Sequence, residues 1–228
     1  MTRAGILRDL LDNGRDHDAP RLAELARVLG LPVADVLVVG GHPVPGQLLP
    51  PDREKKVLRE FTYRVTYCDH PQLAALCAFL DGMPDERPPA EARPARDLAG
   101  VDPFPGVLRG LMSNRGFGVL EFPFVGLSRS TIAGMLGGAW HQLSQLQEVA
   151  GPLGWRPGDL AVLAGEPVRA LEHRPTFCHH VGAVFLAAVP RTSEQLVRAA
   201  READRLSSRE DHGAWQPASV GIYDCPDA

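Results

Sequence analysis

No stretch of this 228-residue chain is apolar for anything near the ~18 positions of a membrane span, so no membrane partner is expected. The N-terminal MTRAGILRDLLDNGRD is charged and amphipathic and lacks the apolar core of a signal peptide, which makes a cytoplasmic protein the expectation. Cysteine is scarce. Cys68, Cys77, Cys178 and Cys225 are the four present and no two stand as C-x-x-C, which argues against a disulfide framework and for reduced, buried thiols. An excess of positive charge is missing too: Lys and Arg number 24 against 28 Asp and Glu, a net charge of −4. That excludes a binder that holds nucleic acid by bulk charge and leaves a local basic patch as the remaining route. Enzyme signatures are also wanting. RGFGVLE lacks the third glycine of a dinucleotide loop, and there is no P-loop, G-x-S-x-G or H-E-x-x-H. Neither a catalytic residue nor a cofactor is expected.

What the chain does contain is a phrase written twice. LGLPVADVLVVGGHPV at 29–44 returns as LGWRPGDLAVLAGEPV at 153–168, 124 positions on. Over residues 17–44 the ungapped match gives eleven identities in 28 positions, where chance gives about two. The repeated pattern is helical. Leu143, Leu146, Val149, Ala150 and Leu153 form one apolar stripe, Gly154 stands where a glycine closes a helix, and Pro157 suits the first turn of the next. Each copy therefore predicts a helix of about three turns, a tight turn, and a shorter helix.

Elsewhere, PDERPPAEARPARDLAGVDPFPG at 84–106 carries six prolines and reads as a linker or extended surface connection. DREKKVLREFTYRVTYCDHPQLAALCAFLDGM predicts helices from about 52 and about 71, with FTYRVTY open between strand and helix. HHVGAVFLAAV at 179–189 fits a buried strand or a core helix. RTSEQLVRAAREADRLSSRED predicts an amphipathic helix capped by Thr192 or Ser193, and ASVGIYD could add an edge strand. Ahead of the second copy, PGVLRGLMSNRG predicts a helix ended by Gly116 and GVLEFPFVG a short helix made irregular by Pro123. LSRSTIAGMLGG predicts a helix capped by Ser128, with Ile132, Met135 and Leu136 inward.

That order is the order of a helix-turn-helix DNA reader. Residues 104–168, through GLSRSTIAGMLGG and LSQLQEVAGPLGWRPGDLAVL, resemble the five-helix DNA-binding domain of the lambda-repressor/Cro-like (xenobiotic-response-element type) family. ILRDLLDNGRDHDAPRLAELARVLGLPVADVL at 6–37 resembles the family's recognition helix and last two helices, with the first two helices missing ahead of Met1. The resulting expectation is a mainly α protein with two related helix-turn-helix-type domains. A truncated unit with connecting helices spans 1–83, a Pro-rich linker 84–103, a helix-turn-helix domain 104–168, and a small α+β segment 169–228.

The resemblance implies that Arg129, Ser130 and Thr131 face base edges, Ser128 caps their helix, Arg109 and Arg115 brace phosphates, and His141 and Gln142 lie just past the helix. It implies sequence-specific binding of double-stranded DNA in transcriptional regulation. Segment 104–168 balances four arginines against four acids, so a homodimer, or a second regulatory protein, is expected to supply affinity. The first copy sets Arg3, Arg8 and Arg15 against Asp9, Asp12, Asp16 and Asp18 and reads as a packing element. Two alternatives stand beside this: a helix-turn-helix-derived protein-interaction module without DNA binding, and a ligand- or metal-sensing regulator acting through the C-terminal segment. Cys68 and His70 with Cys178, His179 and His180 bring soft ligands together, but adjacent strand residues point to opposite faces, and no metal is expected.

Overall fold

The computed structural model describes residues 2–86, 88, 91–94, 102–123, 127–139, 142–167 and 178–207. Among them the chain forms eleven α-helices and no strand; the one extended pairing is an isolated bridge between Val44 and Arg93. In order they are α1 (Arg3–Asn13), α2 (Ala19–Leu29), α3 (Val33–Val39), α4 (Lys55–Val65), α5 (His70–Asp81), α6 (Phe104–Ser113), α7 (Arg129–Leu136), α8 (Leu143–Leu153), α9 (Pro157–Leu163), α10 (Cys178–Ala188) and α11 (Ser193–Ser207).

The written repeat is a structural repeat. Helices α2 and α3 match α8 and α9 residue for residue at the same offset of 124, and the same chemistry ends each long helix. Gly30 (φ 59) and Gly154 (φ 67) both take the left-handed conformation that a side chain disfavours. The following amides of Leu31 and Trp155 then bond back to Ala26 O at 3.0 Å and Ala150 O at 2.9 Å. Leu22, Leu25, Ala26 and Leu29 in one copy, and Leu146, Val149, Ala150 and Leu153 in the other, form the buried stripes.

The two copies share one core and exchange helices. Helix α1 of the first copy packs against α9 of the second, and α6 ahead of the second copy packs against α3 of the first. The remaining helices pack as α4 with α11, and α5 with α10 and α11, while α10 also lies on α8 and joins the two halves. Helices α4 and α11 run side by side in the same direction: Glu54 N donates to Ser193 Oγ at their starts, and Arg64 pairs with Asp204 at their ends. Where α10 crosses α8, Gly182 sits against Gly151 and Gly154 so closely that an added Cβ would lie 2.5 Å from Gly154 Cα.

FTYRVTY is helical. Leu58, Phe61, Thr62 and Val65 recur every three or four residues and turn one face inward, which outweighs the β-leaning composition. HHVGAVFLAAV is likewise helical, with Val181, Val184, Phe185 and Ala188 buried at the same spacing. Thr192 is the residue that caps α11: its Oγ1 accepts from Gln195 N, and its own N–H donates to Gln195 Oε1. The described part of the C-terminal segment is helical, and ASVGIYD lies outside the described residues.

Candidate nucleic-acid interface

Helix α7 is eight residues long, too short to hold itself together in water. It is kept by its ends and by two anchors. Ile132 (3% exposed) and Met135 (2%) reach the core, each burial contributing about 1.5–3 kcal/mol, while Leu136 is half-buried. At the start, Ser128 Oγ accepts from Thr131 N at 3.1 Å, as a capping serine should. The hydroxyls of Ser130 and Thr131 both lie 2.8 Å from Ser128 Oγ, so the three form one small cluster. At the other end, Arg109 of α6 donates from Nη2 to Leu136 O at 2.6 Å, a cation on the negative end of the helix. Ser128, Arg129 and Ser130 are exposed and Thr131 is half-buried.

The other expected contacts fare differently. Gln142 is exposed and caps α8 through a reciprocal pair with Gln145, its N–H 2.9 Å from Gln145 Oε1. His141 lies outside the described residues. The short helix expected over 118–126 is not formed in its described part: residues 119–121 make a turn that folds Phe122 and Glu121 inward, with Phe122 N bonded to Gly118 O. Pro123 and the flanking glycines leave too short a stretch to propagate a helix.

Arg115 is the clear correction. Expected at a phosphate, its side chain is 1% exposed and forms a two-pronged ion pair with Asp35 (0%), Nη1 to Oδ1 at 2.6 Å and Nη2 to Oδ2 at 2.7 Å. Asn114 Nδ2 adds a bond to Oδ1 at 2.7 Å, and Trp155 Nε1 one to Oδ2 at 2.8 Å. Every lone-pair direction of a buried carboxylate is thereby used. The same guanidinium donates to Leu153 O, the last carbonyl of α8.

A mirror arrangement holds the other copy. Arg3 donates to both oxygens of Asp159 at 2.8 Å and 2.6 Å, and to Leu29 O at 2.6 Å. Asp35 and Asp159 are repeat partners, and so are Leu29 and Leu153. Each arginine thus covers the C-terminus of its own copy's long helix and crosses to the aspartate of the other copy. The available signal was in the repeat itself: an acid kept at the same place inside two apolar helices, VADVLVV and PGDLAVL. A carboxylate there needs a buried donor.

Burial redraws the charge balance. Between residues 103 and 147 the chain carries Arg109, Arg115, Glu121 and Arg129. Arg115 and Glu121 are buried, so Arg109 and Arg129 are the exposed charges of that stretch, on adjoining helices α6 and α7. The corresponding surface of the first copy exposes Arg8 and Arg15 but also Asp12, Asp16 and Asp18.

Of the soft ligands, His70 and His180 bring their rings to 3.6 Å between centroids, where α5 meets α10. Cys68 bonds to Arg64 O, and burial, with Asp69 and Asp204 nearby, pushes its thiol up to about 11. No three His, Cys, Asp or Glu gather as a metal group among the described residues, and the side chains of Cys178 and His179 lie outside them. No described helix is long and apolar enough to cross a membrane. Comparison with protein-family models, curated proteins and solved structures finds no match to the chain.

Proposed function

We propose that the chain is a sequence-specific, double-stranded-DNA-binding regulator of transcription that reads bases with the first turn of α7. The carrying observation is the exposed charge of α6 and α7, which consists of Arg109 and Arg129 with no exposed carboxylate between residues 103 and 147. Phosphate oxygens meet a locally positive surface there although the whole protein is acidic. Arg129 is the residue able to make a two-pronged contact with guanine, worth about 1–3 kcal/mol of discrimination. Ser128 and Ser130, with a helix N-terminus behind them, are suited to position a phosphate. Two exposed arginines give little affinity, so the reading includes a homodimer, or a second regulatory protein, that doubles the contact. The test is selection from random duplexes followed by titration of the enriched sequence. Enrichment of one motif supports the reading, and its absence overturns it.

The protein-interaction reading has two observations in its favour. The hydroxyls of Ser130 and Thr131 each bond to that of Ser128, and a turn stands where a DNA reader carries its second helix. A chain that enriches no duplex yet captures a defined partner through α7 would be this second case.

A further inference from the structure

The duplication runs past the written phrase. Helices α10 and α11 begin 123 positions after α4 and α5, Lys55 matching Cys178 and His70 matching Ser193. Leu58, Phe61, Thr62 and Val65 of α4 are buried, and so are Val181, Val184, Phe185 and Ala188 at the matched places of α10. The caps match as well: Asp69 N donates to Gln72 Oε1 at 2.9 Å, and Thr192 N to Gln195 Oε1 at 3.0 Å. Packing of α4 with α11 is therefore the same contact as packing of α10 with α5, and α5 and α11 are equivalent helices of one bundle.

Their outward faces nevertheless differ in kind. Helix α11 turns Glu194, Arg198, Arg201 and Arg205 to solvent, the usual charged face of a surface helix. The matched places on α5 are Pro71, Ala75, Ala78 and Gly82, all exposed. Phe79, matched to Glu202, is 38% exposed beside them. No exposed residue of 71–80, all of them described, is polar. Pro71, Ala74, Ala75, Ala78 and Gly82 fall within about 100° of the helix circumference, so they form one face. His70 and Asp81 are exposed at its two ends, about three turns apart on nearly the same line. An apolar face where the equivalent helix is charged marks a surface kept for a partner.

We infer that this face of α5 is the homodimer interface, pairing antiparallel with α5 of a second copy of the chain. This rests on the α7 reading for its need of a second copy. The ends of the face select that occupant. Asp81 lies at the C-terminal end of its own helix, where the backbone dipole disfavours a carboxylate. An antiparallel partner brings it beside the N-terminal end of the other α5 and the ring of His70, and two-fold symmetry makes the contact twice. Asp69 stands at that end too, but its carboxylate is engaged in the cap, accepting from Gln72 N at 2.9 Å. Phe79 of each copy then lies over the stretch from Pro71 to Ala75 of the other, where small side chains leave room for a ring. Helix α5 carries no lysine or arginine to hold an anionic partner, and one large exposed apolar side chain is too little to anchor it in a membrane. One helix pair is a small interface, so the association is weak and depends on concentration.

The experiment is sedimentation equilibrium of the full chain from about 1 to 200 μM, beside the double variant Ala75→Arg/Ala78→Arg. That variant carries on α5 the residues that α11 carries at the matched places, Arg198 and Arg201, so the fold accepts them and the melting temperature checks that it does. The unaltered chain should pass from monomer to dimer over this range, and the variant's dissociation constant should rise about tenfold or more. Mixing it with Ala75→Glu/Ala78→Glu should restore the dimer, because antiparallel pairing sets these positions of one copy against those of the other. A chain that stays monomeric throughout, a variant that associates as tightly as its parent, or a mixture that stays monomeric would each overturn the inference. If the chain pairs through α5 but enriches no duplex, the α7 reading fails and the interface stands. If a monomeric chain enriches a duplex, the interface fails and the α7 reading stands.

Discussion

Arg115 and Asp35 meet 80 positions apart as a closed fork, with both oxygens of the carboxylate facing both terminal nitrogens of the guanidinium and neither side chain reaching water. Arg3 and Asp159 repeat the arrangement across the other pair of helices, but the Arg3 side chain is 27% exposed. The two copies are therefore held by reciprocal ion pairs of unequal burial.

That inequality sets the first prediction. Asp35→Ala leaves a buried, unpaired guanidinium together with unpaired Asn114 and Trp155 donors, and should cost about 3–5 kcal/mol. Asp159→Ala leaves Arg3 near solvent and should cost closer to about 1 kcal/mol. Urea unfolding of the two variants measures the difference. Equal losses would mean that the reciprocal pairs are equivalent and that burial does not decide their worth.

The helix crossing sets the second. Gly182→Ala drives a methyl group into the backbone of Gly151 and Gly154, which cannot rotate away, and should cost about 1–3 kcal/mol or more. Gly134, within α7, has only Ala139 Cβ, at 3.5 Å, near an added methyl, so Gly134→Ala should stabilise by about 0.5–1 kcal/mol. Thermal melts of the pair should move in opposite directions. A stabilising Gly182→Ala would show that α10 does not cross α8 at this distance.

The repeat was legible because its cause is local: glycine stops, proline starts and apolar stripes act within a few residues of themselves. Helix exchange is not local. Nothing in LLDNG or PGVLRGLM says which copy's short helix it will meet, because α1 on α9 and α6 on α3 bury the same kinds of side chain that the within-copy pairing would. The place of Arg115 is hidden for the same reason. An arginine just past a helix reads as a surface cation until its partner, 80 residues away, is known. Asp35 and Asp159 were the missed clue, since an acid preserved within an otherwise apolar repeat announces a buried donor. The face of α7 was legible through its cap and its spaced Ile132 and Met135. The turn that precedes it was only half legible, through Pro123.

The third prediction concerns pH. Burial of Cys68, reinforced by Asp69 and Asp204, raises its thiol from 9.0 to about 11 in the folded chain. A group whose folded value is raised holds its proton more tightly when folded. Its stabilising contribution is thus full below about pH 9 and declines as pH rises toward about 11. Urea midpoints between those limits should fall more steeply for the unaltered chain than for Cys68→Ala. Alkylation of Cys68 at about pH 8 should be slow until urea unfolds the chain. Rapid alkylation of the folded protein at that pH would contradict the burial of the thiol.

Three arginines once comparable in the sequence should now separate completely, and they make the fourth prediction. Arg129 stands exposed on the first turn of α7, and Arg129→Ala should weaken specific duplex binding by about 1–3 kcal/mol, relaxing preference at one base pair, while stability changes by no more than about 1 kcal/mol. Arg115→Ala should do the reverse: it removes the partner of a fully buried carboxylate, so stability falls by about 3–5 kcal/mol and any loss of binding follows the unfolded fraction instead of the salt concentration. Arg3→Ala should resemble a milder Arg115→Ala, lowering stability by about 1 kcal/mol through Asp159 and Leu29 with no change in sequence preference. The measurements are urea unfolding and duplex titration at two salt concentrations on each variant. An Arg129→Ala chain that binds the enriched duplex as tightly as the unaltered protein would remove α7 as the reading helix. If Arg115→Ala folds normally and only flattens the salt dependence by about one unit, that arginine is at a phosphate after all, and the Asp35 fork does not hold the two copies together.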